Sequence, residues 1–301
     1  MKKFFTTVVC LYASVYLFGQ QEAQYSQYLY NQNIVNPAYV TDSPLFGAGI
    51  LYRTQWVGIE GAPQTGNVFA HIPFSERVEM GFNYVNDQIG DVLTTHVFNA
   101  DFAYKTQLTR TLKLSYGLKL GATNNRLAFN TTDVAADPAF TENNKTTLSV
   151  GAGTFLFTDK FYVGLSSPNL LPNETTIDGV AQAESEIHAY VMGGYVFDVS
   201  EEVKLKPSAI IKHVIGAPLT FDTSLNALFM ERFEVGVSYR YQDAVVGLAA
   251  VNITPDLRLG YSYDYTLSEL QDFNNGSHEI ILLYNFDLLR FSKQYTSPRF
   301  F

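Results

Sequence analysis

Few residues of this chain are placed to do chemistry. His278-Glu279 begins like the helical zinc-protease motif, in which two histidines four apart bind the metal beside a glutamate base. Leu282 stands where the second histidine would be, and the segment alternates like a strand. His71, His96, His188 and His213 lie on separate strand candidates with no shared spacing. Cys10 is the only cysteine and sits inside the N-terminal apolar stretch, so the mature chain has none. Disulfides, thiol catalysis and cysteine zinc sites are excluded. No G-x-S-x-G elbow occurs; a hydrolase with Ser, His and a carboxylate at a barrel surface stays open as a class, because triads are recognised by geometry. Gly151-Ala152-Gly153 reads as close packing within a strand and not as a phosphate loop. Asn130-Thr131-Thr132 and Asn173-Glu174-Thr175 match a glycosylation pattern by chance. The sequence therefore nominates no catalytic residue, metal ligand or cofactor.

The remaining charged residues share an environment. Phe233, Val235, Val237, Tyr239 and Tyr241 occupy one face of a strand, with Glu234, Gly236, Ser238, Arg240 and Gln242 on the other. Leu112 to Leu120 alternate likewise with Lys113, Ser115, Gly117, Lys119 and Gly121, and Leu257 to Tyr265 with Arg258, Gly260, Ser262 and Asp264. Successive side chains of a strand point to opposite faces, so each segment has one apolar face and one polar face. A soluble sandwich or propeller turns the apolar face inward; a membrane barrel turns it to lipid and keeps charge in its lumen. An isolated charge facing lipid at mid-bilayer costs roughly 2 to 4 kcal/mol. Lys113, Lys119, Glu234, Arg240, Arg258 and Asp264 are accordingly expected to line a lumen, as a solute path or an ion-pair lattice.

Composition and the N-terminus favour the barrel. Lys2 and Lys3 precede an apolar stretch from Phe4 to Phe18 and then Gly19-Gln20, the pattern of a secretory signal peptide over residues 1–20. About 280 residues remain, and no other apolar run approaches the roughly 20 residues of a spanning helix. Charged residues are 16% and aromatics 15%, with 20 Tyr and 23 Phe. That is little charge for a soluble domain and enough rings for two interfacial girdles. Losing Lys2 and Lys3 takes the formal charge from -9 to -11, and no basic cluster occurs, which disfavours nucleic-acid binding.

Residues 21–44 show no period and form an N-terminal segment, a plug or a periplasmic contact. The barrel follows over 45–290 with a tail at 291–301. About fourteen strands are expected, an even number as bacterial barrels require: 45–55, 64–73, 78–86, 92–106, 112–122, 146–158, 161–167, 186–199, 203–213, 219–230, 233–242, 244–253, 257–266 and 277–288. The even-numbered connections are short, whereas Thr123 to Lys145, Ser167 to Ser185 and Leu267 to Gly276 are long. This alternation puts both termini in the periplasm. Gln242-Asp243 is a tight turn where an external loop is expected. Fourteen strands lie between filled eight-stranded barrels and water-filled porins, favouring a packed or plugged lumen.

Several motifs then identify a relationship. Tyr25-Ser26-Gln27-Tyr28, Asn36-Pro37-Ala38-Tyr39, Arg53-Thr54-Gln55-Trp56-Val57-Gly58, Gly61-Ala62-Pro63-Gln64-Thr65 and Ser297-Pro298-Arg299-Phe300 resemble the PorP/SprF family of Bacteroidetes outer-membrane proteins. The resemblance continues in order through Phe161 to Ser166, Lys206-Pro207-Ser208, Gly260 to Asp264 and Gly276 to Ile280. Departures are small: Tyr25 and Tyr28-Leu29-Tyr30 stand where Phe and Met are expected, and Val40 follows Tyr39 where Ala-Gly is usual. The resemblance implies a non-enzymatic outer-membrane barrel of the type IX secretion system that anchors or positions secreted adhesins, often through their C-terminal sorting domain. It also implies contact with outer-membrane lipid and with periplasmic secretion or gliding-motor components. On that basis Trp56, Gly58, Gly61 and Pro63 are expected in a cargo-facing first external loop, with Arg53 and Gln55, at the end of the expected strand 45–55, as further partner-binding candidates. Tyr25, Ser26, Gln27, Tyr28, Asn36, Pro37 and Tyr39 are expected at a periplasmic or plugging contact. A passive porin is the first rival and a barrel hydrolase the second.

Overall fold

The computed structural model describes residues 25–128, 143–171, 173–177, 180–185, 187–215 and 218–287. The expected signal peptide and the 291–301 tail lie outside them. The strands are β1 (Phe46–Thr54), β2 (Gln64–Pro73), β3 (Val78–Ile89), β4 (Leu93–Gln107), β5 (Lys113–Leu127), β6 (Asn143–Phe157), β7 (Phe161–Ser167), β8 (Asn173–Ile177) and β9 (Val180–Ser185). They continue with β10 (His188–Tyr195), β11 (Phe197–Asp198), β12 (Val203–Val214), β13 (Thr220–Phe229), β14 (Phe233–Arg240), β15 (Ala244–Asn252), β16 (Leu257–Thr266) and β17 (Ser277–Phe286).

Fourteen of these close an antiparallel barrel. β1 pairs with β17 from Phe46↔Phe286 to Thr54↔His278, and β7, β10 and β12 complete the wall on the far side. Closure leaves no strand edge in the ring, which is what permits a sheet to stand in lipid. β8 and β9 form a separate hairpin, and β11 is a short extension paired to β12. The expected strand over 186–199 is thus β10 and β11, separated at Val196, whose N–H bonds the Lys160 carbonyl.

Along the long strands the outward face is apolar, while the inward face carries the buried charges together with some buried apolar residues such as Leu51, Phe155 and Ile281. Ile50, Phe98, Leu118, Leu120, Val237 and Ile280 all stand outward, and Lys119, Glu234, Asp264 and Glu279 between or near them are buried inside. This is the inverse of a soluble sandwich. Rings gather toward the short-turn rim, where Phe46 and Phe286 lie 4.4 Å apart and Tyr195 and Phe197 4.5 Å apart. Tyr261, Tyr263 and His278 cluster near the opposite rim. Rings at the two interfaces can be half in hydrocarbon and half wet.

One rim carries the short connections and is periplasmic by the loop-length rule; the other is external. Two external connections are nevertheless tight. β14 and β15 meet through Tyr241 to Asp243, closed by the Asp243 N–H to the Arg240 carbonyl. β3 runs three residues past its expected end, so Gly90 to Val92 suffice to reach β4. Gly90 there takes φ +57°, a conformation a glycine adopts at low cost.

Candidate functional site: the occupied lumen

The lumen is filled by the N-terminal segment. Tyr25 to Asn33 and Val35 to Val40 are buried, and two 3-10 turns, Tyr28–Tyr30 and Gln32–Ile34, compact the segment without a regular helix. Polar side chains reaching in from many strands take up its backbone groups.

The densest set lies in the external half. Ser26 and Gln27 donate successive backbone N–H groups to the two carboxylate oxygens of Glu279, at 3.0 and 2.7 Å. The Ser26 hydroxyl donates to Asp264 at 2.6 to 2.7 Å and accepts from Arg53 at 2.9 Å and Arg240 at 3.3 Å. Arg53 bridges both acids, 2.8 Å to Asp264 and 3.3 Å to Glu279. Arg240 also approaches Asp222, which Lys212 contacts at 3.0 Å. The register explains the convergence: Arg53 is directly opposite Glu279 on β1 and β17, and Asp222 is opposite Arg240 on β13 and β14. Charges so buried are tolerated when paired, and each of these has an ion-pair partner, although Arg53 Nε and Asp222 Oδ1 make no hydrogen bond among the described residues.

Nearer the periplasm, the Tyr30 hydroxyl donates to Glu234 at 3.0 Å and accepts from Arg258 at 3.1 Å, while Arg258 pairs with Glu234 and lies 4.8 Å from the Tyr30 ring centre. Lys119 donates to the carbonyls of Asn33 and Ile34 at 2.8 and 3.1 Å, with Asp101 3.6 Å away. The Ser166 hydroxyl donates to the Val35 carbonyl at 2.7 Å, and Asn36 donates to the Thr154 carbonyl at 3.1 Å. Here the wall gives way to glycine and aromatic rings. A Cβ on Gly117 would stand 2.2 Å from the Ala38 nitrogen and the Pro37 carbonyl carbon, so only glycine admits the segment at this point. Tyr39 then packs edge-on against Phe155 and His71 at 5.5 and 5.8 Å.

At the periplasmic rim Thr41 donates its N–H to Glu79 at 2.9 Å, and Asp42, outside the spanning strands, pairs with both Lys105 and Lys113. Burial by itself would raise the Asp42 carboxyl, but the hydrogen bonds and charges of Lys105 and Lys113 hold it below its ordinary value. The segment therefore runs from the external half down to the periplasmic rim before entering β1.

The candidates named from sequence separate into three groups. Lys119, Glu234, Arg240, Arg258 and Asp264 all point into the lumen, and Lys113 reaches it at the rim through Asp42. Tyr25, Ser26, Gln27, Tyr28, Asn36 and Tyr39 are buried within it, and the Pro37 backbone lies against Gly117. The loop set divides: Gln55 and Trp56 are partly exposed and Gly58 and Gly61 exposed in the first external loop, but Arg53 points inward at 2% exposure and Pro63 is buried. That loop is joined to the β16–β17 loop by backbone bonds between Val57 and both Asn275 and Gly276, and by the Trp56 N–H to the Ser277 hydroxyl at 3.1 Å. Sequence reading named Glu279 only beside His278 and did not place Glu279, Asp222 or Asp101 in the lumen. The alternation of β17, with Ile280, Leu282 and Tyr284 outward, already assigns Glu279 to the lumen and His278 to the opposite face. His278 meets the Tyr261 hydroxyl at 2.6 Å on that outer face. Among the described residues no group of His, Cys, Asp and Glu is arranged to hold a metal.

No curated protein matches the chain. Among solved structures it is similar to the CymD monoaromatic hydrocarbon channel, with TM-score 0.52, 13% identity and coverage of 84% of this chain and 91% of that one. A mutant of the TodX monoaromatic hydrocarbon channel gives 0.51, 10%, 85% and 94%, and the Ralstonia pickettii toluene transporter TbuX gives 0.51, 8%, 83% and 92%. At these identities the likeness is one of fold, that of an outer-membrane barrel. Residues 17–284 match the model of the type IX secretion system membrane proteins PorP/SprF, and the chain belongs to that family.

Proposed function

We propose that this outer-membrane barrel is a non-enzymatic anchor of the type IX secretion system. In this reading it holds a secreted surface protein, an adhesin-like cargo with a C-terminal sorting domain, at its external face and couples it to periplasmic secretion or gliding components. The observation that carries the reading is the occupied lumen. Residues 25–40 fill the space a solute would need, and charged groups from β1, β5, β14, β16 and β17 hold them there. A barrel so filled is suited to interaction through its rims. The external rim offers the linked loops 55–63 and 267–276, where Trp56 is half-buried and Phe273 is 72% exposed. A barrel hydrolase finds less support, since His96, His188 and His278 meet tyrosine hydroxyls.

The test is crosslinking and affinity purification of a tagged copy from its own outer membrane, with the partners identified by mass spectrometry. Enrichment of a large secreted surface protein or of periplasmic secretion components is expected. A barrel recovered alone, with steady conductance in planar bilayers, would replace this reading by a passive porin, as the hydrocarbon channels of like fold would suggest.

A further inference from the structure

A cavity of about 350 Å³ opens at the periplasmic rim, beside the place where the plug leaves the lumen. Its walls are largely apolar, with Pro44, Pro73 and Phe74 prominent, and its margin carries four carboxylates against two cations. Lys113, just outside the cavity, pairs with Asp42 as Lys105 does, so four carboxylates face three cations and the margin keeps a net charge of one negative. Phe74, at the β2–β3 turn, is 75% exposed, more than any other large apolar residue described. The volume lies at the low end of the range of ligand pockets, roughly 300 to 1,000 Å³.

β17 runs down to this rim, and Asp287, immediately after it, is part of the cavity margin. The sequence that follows, 288–301, has the complementary chemistry. It contains Arg290, Lys293 and Arg299 and no acidic residue, and it carries Phe291, Tyr295, Phe300 and Phe301. Aromatic rings are the side chains with most to gain from such a cavity. A segment tethered at the margin reaches it at a high effective concentration, which a separate partner lacks.

We propose that this cavity is the docking site of the chain's own segment 288–301, with its aromatic side chains against Pro44 and Phe74 and its cations toward the carboxylate margin. Val40 and Ser43, in the stretch that links plug to β1, line the same cavity. The docked segment thereby covers the tether on which the plug hangs, and the two ends of the barrel sequence meet at one periplasmic contact. This inference stands apart from cargo anchoring and survives or fails independently of it.

The experiment replaces Phe74 with the photocrosslinking residue p-benzoylphenylalanine in the full chain in its own membrane, with lipid-facing Phe82 replaced likewise as control. Irradiation is expected to join position 74, and not position 82, to a peptide within 288–301 of the same molecule. Because shortening the C-terminus could prevent assembly, the second variant keeps the length and combines Arg290→Glu, Lys293→Glu and Arg299→Glu. At unchanged heat-modifiable mobility of the barrel, this variant should lower the crosslink yield several-fold. Crosslinks from position 74 to a different polypeptide only, none at all, or an unaltered yield in the triple variant would each overturn the proposal.

Discussion

The two halves of the plug are held by different physics. From Ser26 to Tyr30 the wall contributes charge: Arg53, Glu234, Arg240, Arg258, Asp264 and Glu279 meet the segment through directed hydrogen bonds. From Asn36 to Tyr39 the wall contributes shape, with glycine and aromatic rings closing around backbone and side chains. Charge sets position, because each carboxylate and guanidinium accepts few geometries. Shape sets whether the segment enters at all, because a filled interior yields little to added atoms. The first half is thus specified, and the second half is accommodated.

The accommodated half should be the easier to break completely. In Gly117→Val the first added carbon already overlaps the Pro37-Ala38 backbone, and a β-branched side chain cannot turn away from it. We expect the plug to leave the lower lumen and the barrel to conduct in planar bilayers at a level approaching that of a barrel lacking residues 25–40. Gly247→Val is the matched control, since nothing lies within 4 Å of a Cβ at that position. Equal, near-zero conductance from both variants would mean that the lower half is loosely packed and that charge alone retains the plug.

A smaller but sharper effect is expected from Arg53→Ala. Removing one partner of a buried ionic set costs roughly 3 to 5 kcal/mol, because the acids left behind stay desolvated. Arg240 remains 3.5 Å from Asp264, which places the expected loss toward the lower end, while Glu279 loses its one ion-pair partner among the described residues. The measurement is the temperature at which the folded barrel loses its heat-modifiable gel mobility. The Arg53→Ala, Glu279→Ala double variant should recover part of the loss, as a coupled pair does; a double variant equal to the sum of the singles would dissolve the distinction between the halves.

The wall and the plug also differ in how legible they were. The wall was legible in detail: the expected 64–73, 161–167 and 257–266 coincide with β2, β7 and β16, because lipid on one side and lumen on the other enforce strict alternation. The same alternation gave Lys119, Glu234, Arg240, Arg258 and Asp264 their inward direction. The plug was not legible in this way. Its residues meet strands distant in sequence one at a time, so no period survives to be read, and only its lack of pattern set it apart. Arg53 illustrates the limit: grouped with the Trp56 loop by its motif, it is the penultimate residue of β1 and faces the lumen. The tightness of the β3–β4 connection was hidden because strands above the membrane lose their apolar face and with it their visible end.

The weakest hold is expected at the rim, where specification and accommodation both fade. Asp42 pairs with Lys105 and Lys113, whose side chains are 20% and 25% exposed, so solvent screens much of the attraction, and Asp42→Asn should cost about 1 kcal/mol or less. The sign with pH follows from the lowered carboxyl. Its contribution is fully present above the ordinary value of 3.8 and is lost as pH falls through the lowered value of the folded state, so neutral and mildly acidic conditions should leave the tether closed. Hydrogen exchange of peptides spanning Thr41 to Leu45 would read this directly: unchanged protection between pH 7 and 5 in the parent, and modestly faster exchange in Asp42→Asn at pH 7. The Ser26 and Gln27 amides, held by Glu279 in the external half, should not respond to that substitution. A tether variant that loosened them as strongly as its own neighbours would mean the plug moves as one body, and that its two modes of retention act as one.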